Sequence, residues 1–303
     1  MSRVSVIIRA YNASKYIKDA VRSVVNQTCD CPIELLILYD NGSVDNTREI
    51  LNKLNSEINK QNIRLVVHEH SHVTPFRALQ LGLKIASGDF IAFLDYDNMY
   101  ELNYFSVVLR EVKESNSSFI FTKALLIDAN GHLLGRALLE IPQNPYDILR
   151  LLKWNYIDLN TILIRKDCLK DIIHIINNLT HRFYDFVVED WLLSLLAFKE
   201  CIPKHISNTY VLYRIHGENM NYNLFPSVDS QLFRIENEIK TLIAFYNLEK
   251  NKLSKREIKT LKYSLIRRYI AYIRTINSHI GISPIDIISV LSKRFIENLN
   301  KFK

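Results

Sequence analysis

The sequence predicts an α/β protein: a mostly parallel central sheet with flanking helices, continued by a C-terminal helical extension. Two observations predict the sheet. Over the first hundred residues short apolar runs alternate with segments of helical period, the pattern of strands joined by helical crossovers. The run Phe90-Ile91-Ala92-Phe93-Leu94 then stops at Asp95-Tyr96-Asp97, and ligands of open α/β sheets bind just outside the carboxyl ends of the strands. A third observation predicts the extension. From Pro226 onward the apolar spacing is helical only, and 15 Lys/Arg stand against 7 Asp/Glu, so the net charge of +7 belongs to the tail. The chain is divided on this basis into residues 1–225 and 226–303.

Taken in order, residues 4–8 read as a strand and the turn at Tyr11-Asn12-Ala13-Ser14 leads into a helix, because Ile17, Ala20, Val21 and Val24 recur at helical spacing. Residues 33–39 form a second strand ending in the turn residues Asp40-Asn41-Gly42-Ser43, and Asp45 caps a second helix. A third strand over 63–68 precedes Thr74-Pro75, a helix start suited to proline, and Ser87-Gly88 ends that helix before the Phe90 strand. Beyond Asp97 the pattern gives a helix over 101–114, a strand over 119–127, a hairpin turn at Asp128-Ala129-Asn130-Gly131 and a return strand over 132–138. A loop with a short helix covers 142–154, a strand 159–165, a helix begins at Asp167, another begins near Glu189, and a strand covers 209–215. The tail reads as helices over 229–246, 254–277 and 284–300, with Ser254-Lys255-Arg256-Glu257 a capping box.

Bulk properties exclude several classes. At 303 residues, with 48% hydrophobic and 23% charged residues, the chain can bury a full core and has ordinary globular composition. No apolar run approaches the roughly 20 residues that span a bilayer. The apolar part of the N-terminus is too short for a signal-peptide core, so a cytoplasmic location is expected, with peripheral association at the membrane inner face if the tail binds lipid. Cys29, Cys31, Cys168 and Cys201 lack a second closely spaced pair and read as reduced structural thiols rather than a zinc site. A glycine-rich dinucleotide fingerprint and a Walker phosphate loop are both absent, which weakens dehydrogenase and P-loop ATPase readings.

The motifs carry more. Val4-Ser5-Val6-Ile7-Ile8 followed by Tyr11-Asn12, then Asp40-Asn41-Gly42-Ser43-Val44-Asp45, then Ala78-Leu79-Gln80-Leu81-Gly82 with Ala86-Ser87-Gly88-Asp89, then Asp95-Tyr96-Asp97, Glu189-Asp190-Trp191 and Tyr213-Arg214-Ile215-His216-Gly217 stand in one order and spacing. In that register the chain resembles the family 2 inverting glycosyltransferases of the GT-A fold, a Rossmann-like sheet, over about residues 3–220. It departs from the family pattern at Arg9-Ala10, where proline and threonine are usual, at Asn41, where a second acid is common, and at Leu79-Gln80, which replace an arginine–asparagine pair.

The resemblance implies a nucleotide-sugar donor, UDP-linked in the favoured case, and a divalent cation, Mn²⁺ or Mg²⁺, against the diphosphate. It implies donor contacts from Ala10, Tyr11, Asn12, Asp40, Asn41, Arg77, Asp95 and Tyr96, a metal ligand in Asp97 with His216 as a further one, and Asp190 as general base with Glu189 orienting the acceptor. The chemistry is consistent. Two acids at a strand end are costly to desolvate unless a cation lies between them and something more negative. A base must reach the acceptor hydroxyl and be deprotonated near neutral pH. Plainer roles compete: Glu189 and Asp190 suit the first turn of any helix, Arg9 suits a salt bridge as well as a phosphate, and His216 suits a hydrogen-bonded loop. His68, His70 and His72 alternate but fall after the third strand, and read as loop residues rather than a metal site.

The implied acceptor is a glycan or a polyprenyl-linked molecule. In the second tail helix Ile258, Leu261, Leu265, Ile266, Tyr269, Ile270 and Ile273 make an apolar stripe with Lys255, Arg256, Lys259, Lys262, Arg267, Arg268 and Arg274 around it. That stripe suits packing on the catalytic part, an anionic membrane surface, or a homodimer. No nucleic-acid module is present. The competing functional classes are a GT-A-like nucleotide-binding or assembly protein without turnover, disfavoured by the joint presence of Asp95, Asp97 and Asp190, and a nucleotidyltransferase, disfavoured by the missing early glycine-rich loop.

Overall fold

The computed structural model describes residues 2–58, 61–217 and 227–280. The elements in chain order are β1 (Val4–Ala10), α1 (Ile17–Val25), β2 (Ile33–Asp40), α2 (Thr47–Glu57), β3 (Ile63–His70), α3 (Pro75–Ile85), β4 (Phe90–Asp95), β5 (Met99–Tyr100), α4 (Tyr104–Ser115), β6 (Phe119–Ile127), β7 (Leu133–Ala137), α5 (Ile148–Leu151), β8 (Ile162–Arg165), α6 (Lys170–Asn177), α7 (Glu189–Glu200), β9 (Pro203–Arg214), α8 (Val228–Glu249) and α9 (Lys255–Ile280). They form a nine-stranded sheet in the order β3-β2-β1-β4-β8-β6-β9-β5, with β7 paired to β6. The half built from β3, β2, β1 and β4 is parallel, as the alternation predicts. The other half is mixed: β8 runs antiparallel to β4 and β6, whereas β9 is parallel to β6.

Side-chain alternation along β1 sends Val4, Val6, Ile8 and Ala10 to one face, against α1, α2 and α4. Ile7 goes to the other face, where α3, α6, α7, α8 and α9 pack. At the amino end of the sheet Ser5 is polar but satisfied. Its hydroxyl donates to the Glu34 carboxylate and accepts from Gly88 N at 2.7 Å, and Ser87 Oγ also donates to Glu34 at 2.7 Å. A Cβ on Gly88 would lie 2.6 Å from Ser5 N, so this turn requires glycine. The turn sets where β4 begins, and the strand's length then sets where Asp95 emerges.

Several sequence expectations change. The strand expected over 159–165 begins with a 3₁₀ turn at Leu159–Thr161, because Asp158 Oδ1 accepts from Asn160 N at 3.0 Å and Thr161 Oγ1 donates back to Asp158 O at 2.7 Å. The third strand runs on to His70, so His68 and His70 lie within it and not after it. The cysteines are paired, Cys29 with Cys31 and Cys168 with Cys201, against the reading of reduced thiols. The expected helix over 284–300 lies outside the described residues.

The tail joins the main core. Leu242 and Phe245 of α8 and Leu261 and Leu265 of α9 are buried in the same cluster as Trp191, Leu192 and Leu195 of α7. The capping box forms: Ser254 N donates to Glu257 Oε2 at 2.7 Å, and Glu257 N to Ser254 Oγ at 3.3 Å. The same Glu257 pairs with Lys199 of α7 at 2.9 Å, so a local cap also ties α9 to the body. Among the described residues no helix is long and apolar enough to cross a membrane.

Candidate active site

The site assembles at the carboxyl ends of β1, β2 and β4. Parallel register makes Arg9 and Asp95 neighbours across the β1–β4 ladder. The Arg9 guanidinium donates to Asp95 Oδ1 through Nε at 3.1 Å and Nη2 at 2.6 Å, and to Glu189 Oε1 through Nη1 at 2.8 Å. One planar cation therefore joins the acid at the end of β4 to the acid opening α7. Burial alone would push Arg9 down. The Asp95 and Glu189 carboxylates more than offset it and hold the guanidinium above its ordinary value. Arg9 thus takes the carboxylate-pairing role.

Asp95 is held from a second side by a residue the sequence reading missed. Asn160 Oδ1 accepts from Asp95 N at 2.6 Å, while its Nδ2 donates to Asp95 Oδ2 at 3.1 Å and Asp158 Oδ1 at 2.7 Å. Asp158 is raised to about 6 by burial, with Asp95 adding to the shift and the Asn160 amide and Arg9 opposing it. Both residues were hidden in an apolar run, Tyr156-Ile157-Asp158-Leu159-Asn160, where polar groups at i and i+2 among buried neighbours were the available signal.

Asp190 follows Glu189 in the first turn of α7, and Trp191 N donates to its Oδ1 at 2.6 Å. Burial raises it well above the usual carboxylate range, with Glu189 and Asp158 adding to the shift and hydrogen bonds from Trp191 N and Asn155 opposing it. A buried carboxyl group whose proton affinity is raised by its surroundings is a candidate for acid–base chemistry. Trp191 itself is core: its ring is 1% exposed and Nε1 donates to Leu151 O at 2.8 Å.

Asp97 Oδ2 lies 3.0 Å from His216 Nε2. Burial raises Asp97, the Asp95 charge adds to the shift, and the His216 hydrogen bond opposes it. The pair is positioned by Arg214, 2% exposed, which donates to Asp97 O at 3.0 Å and Ala129 O at 2.9 Å, pairs with Asp19 at 3.1 Å and stacks 4.6 Å from the Tyr16 ring centroid. The closing strand β9 and the loop after β4 are thereby fixed together. A carboxylate beside an imidazole fits a divalent cation. Among the described residues no three His, Cys, Asp or Glu side chains converge as a cage, so such an ion would take its other ligands from the donor phosphates and water.

The loops after β1 and β2 interlock. Asn12 adopts φ 47°, a conformation asparagine tolerates, accepts from Val44 N at 2.9 Å through Oδ1, and donates its N–H to Ser43 Oγ at 3.1 Å. Asp40 is 3% exposed, accepts from Gly42 N at 2.9 Å and meets His72 Nδ1 at 2.7 Å. The His72 ring lies 4.9 Å from the exposed Tyr11 ring. Ala10 is buried beneath them, and Asn41 is exposed, its N–H donating to His70 O at 2.9 Å. Tyr96 is half-buried between the two aspartates. His72, set aside in the sequence reading, thus joins the Asp40 and Tyr11 group. Arg77 is placed apart from these contacts. It pairs with Asp185 and donates to the carbonyls of Leu179, Thr180 and His181, which holds the segment leading to α7.

A sheet of this order with acids at these strand ends defines a GT-A glycosyltransferase architecture. Residues 5–173 match the model of glycosyl transferase family 2, and the chain belongs to that family. An uncharacterized glycosyltransferase of Haemophilus influenzae is 27% identical over 231 residues, 75% of this chain and 85% of that protein. The glycosyltransferase GlyG of Streptococcus pneumoniae is 29% identical over 117 residues, 39% of this chain and 37% of that protein. Among solved structures, S. aureus TarS in complex with UDP-GlcNAc superposes with TM-score 0.69 at 18% identity, covering 99% of this chain and 80% of that one. The mannosyltransferase PcManGT from Pyrobaculum calidifontis, in complex with GDP-Man and Mn²⁺, superposes with TM-score 0.58 at 12% identity, covering 99% and 84%. These structural likenesses establish the fold.

Proposed function

We propose that the chain transfers a sugar, with inversion, from a nucleotide-diphosphate donor to a hydroxyl of a glycan or lipid-linked acceptor. One observation carries the reading: Arg9 joins Asp95, on the donor side, to Glu189, beside the base Asp190, although 94 residues separate the two acids in sequence. UDP is the favoured nucleotide, supported by TarS, in complex with UDP-GlcNAc, superposing at a higher TM-score (0.69) than PcManGT, in complex with GDP-Man (0.58). Tyr11, Asn12, Asp40 and Asn41 would hold the nucleoside, with Ala10 beneath them. Asp95 and Tyr96 would contact the sugar and ribose. Arg77 would act through the segment it holds. The division into a catalytic part, 1–225, and a helical extension, 226–303, belongs to the same proposal.

In the transfer, the acceptor oxygen attacks the anomeric carbon from the face opposite the leaving group. Its proton passes to the Asp190 carboxylate, and the bond between that carbon and the diphosphate oxygen breaks, releasing the nucleoside diphosphate. Asp97 and His216 would hold Mn²⁺ or Mg²⁺, which supplies positive charge where the leaving diphosphate gains negative charge. Glu189, held by Arg9, orients the acceptor.

Calorimetric titration of UDP and GDP, each with and without Mn²⁺, tests the reading. Metal-dependent binding of UDP that Asp97→Ala abolishes is the expected result. Absence of any nucleotide binding would favour the GT-A-like assembly protein, and binding indifferent to metal and to Asp97→Ala would remove Asp97 from the metal site.

A further inference from the structure

We infer that the outward face of α9 is a docking surface for an anionic phospholipid bilayer. The apolar stripe of this helix divides in the structure. Leu261 and Leu265 are fully buried, and Ile258 and Tyr269 pack against the same core. Tyr263, Ile266 and Ile270 do not join them and are 53%, 37% and 43% exposed. Arg256, Lys259, Arg267 and Arg274 are also exposed. At 3.6 residues per turn these seven side chains fall within an arc of about 100°. Glu257 is the one acid between Lys255 and Ile276, and it is buried in the capping box. Four cations and three apolar side chains therefore share one acid-free face.

That composition selects the occupant. A second copy of the chain would bring the same cations face to face. A purely aqueous polyanion would gain nothing from Ile266 and Ile270. A bilayer surface satisfies both sets, phosphate headgroups meeting the cations and the acyl boundary meeting the isoleucines. The inner face of α9 adds a functional link. Arg268 lies 4.6 Å from the Trp191 ring centroid, donates to Lys153 O at 3.1 Å and pairs with Glu238 at 2.8 Å. The helix that would meet the membrane is thus packed directly on the residue that follows Asp190. The surface goes beyond the donor chemistry and stands independently of it.

Flotation of the full chain with vesicles tests this, using phosphatidylcholine alone and phosphatidylcholine with about one-third phosphatidylglycerol. The chain is expected to float with the anionic vesicles only. Combined Lys259→Gln, Arg267→Gln and Arg274→Gln should lower partitioning about 100-fold, at about fivefold per cation. Combined Ile266→Ser and Ile270→Ser should lower it about tenfold. All these side chains are exposed, and unchanged thermal melting checks that the variants fold. Equal partitioning into neutral vesicles, or no loss in either variant, overturns the inference. So does a loss confined to the cation variant, the pattern of a nucleic acid or another soluble polyanion. Vesicle binding by a chain that binds neither UDP nor GDP would refute the donor reading and leave this surface standing.

Discussion

In the parallel half of the sheet, β1, β2 and β4 present Arg9, Asp40 and Asp95 at strand ends whose positions follow from ladder register. In the mixed half, the facing groups come from the 3₁₀ turn at Leu159–Thr161 with its cap Asp158, and from the first turn of α7. The first half needs only short-range pattern to put its acids in place. The second needs the Asp158 cap, the Asn160 amide, the Arg77 clamp on the segment before α7, and Arg9 to close the gap. The comparison teaches that ladder geometry sets where the strand ends bearing Arg9, Asp40 and Asp95 lie, whereas Asp158, Asn160 and Glu189 are brought to them by side-chain contacts, so single substitutions should divide the proposed donor and acceptor sides.

The largest expected separation is at Asp190. Asp190→Asn should slow transfer by about 10²- to 10⁴-fold while leaving the affinity for UDP unchanged, read by single-turnover assays beside calorimetry. An equal loss of nucleotide affinity would break the division into donor and acceptor sides.

Next comes the joint between the halves. Arg9→Met leaves Asp95 and Glu189 facing each other without a cation, which costs about 3 kcal/mol for a buried pair. The side chains here are 18–29% exposed, so roughly 2 kcal/mol of stability should be lost in urea unfolding. Adding Glu189→Gln should restore part of it, because one uncompensated charge is removed. No recovery in the double variant would show that the arginine acts on one half alone.

The smallest effect sharpens the role of the hidden acid. Burial lifts Asp158 to about 6 in the folded chain, above its unfolded value, so the folded state binds this proton more tightly. The resulting stability is full below the unfolded pKa and is lost as pH climbs through about 6. Asp158→Asn should therefore flatten the stability profile between pH 4 and 7 by roughly 1–2 kcal/mol. An unchanged profile in thermal melts across that range would mean that another buried acid, Asp190 foremost, carries the titration.

Much of the donor half was legible. Residues 33–39 matched their strand to within one residue, whereas the cap of α2 is Asn46 and not the expected Asp45, which instead accepts from Thr47 N at 3.1 Å. The placing of Asp95 and Asp97 just past a buried strand also held. The mixed half was less legible for a definable reason. A four-residue strand such as Ile162–Arg165 carries too little periodicity to reveal that it runs antiparallel between β4 and β6. Arg77 and His72 exchanged significance because an arginine with five donors takes whatever carbonyls the fold brings to it, and a histidine's partner, here Asp40, sits 32 residues away.

By itself the sequence determined the period of each element, the strand that ends in Asp95-Tyr96-Asp97, the capping box of α9 and the family register of the motifs. These are local properties, set by propensity, turn chemistry and the alternation of apolar residues. Only the tertiary structure decided that Arg9 bridges Asp95 and Glu189, that Asn160 clamps Asp95 to Asp158, and which half of the α9 stripe is buried. Those outcomes depend on which surfaces meet, and a charged side chain's partner is chosen by the desolvation it must offset, not by its neighbours in the chain.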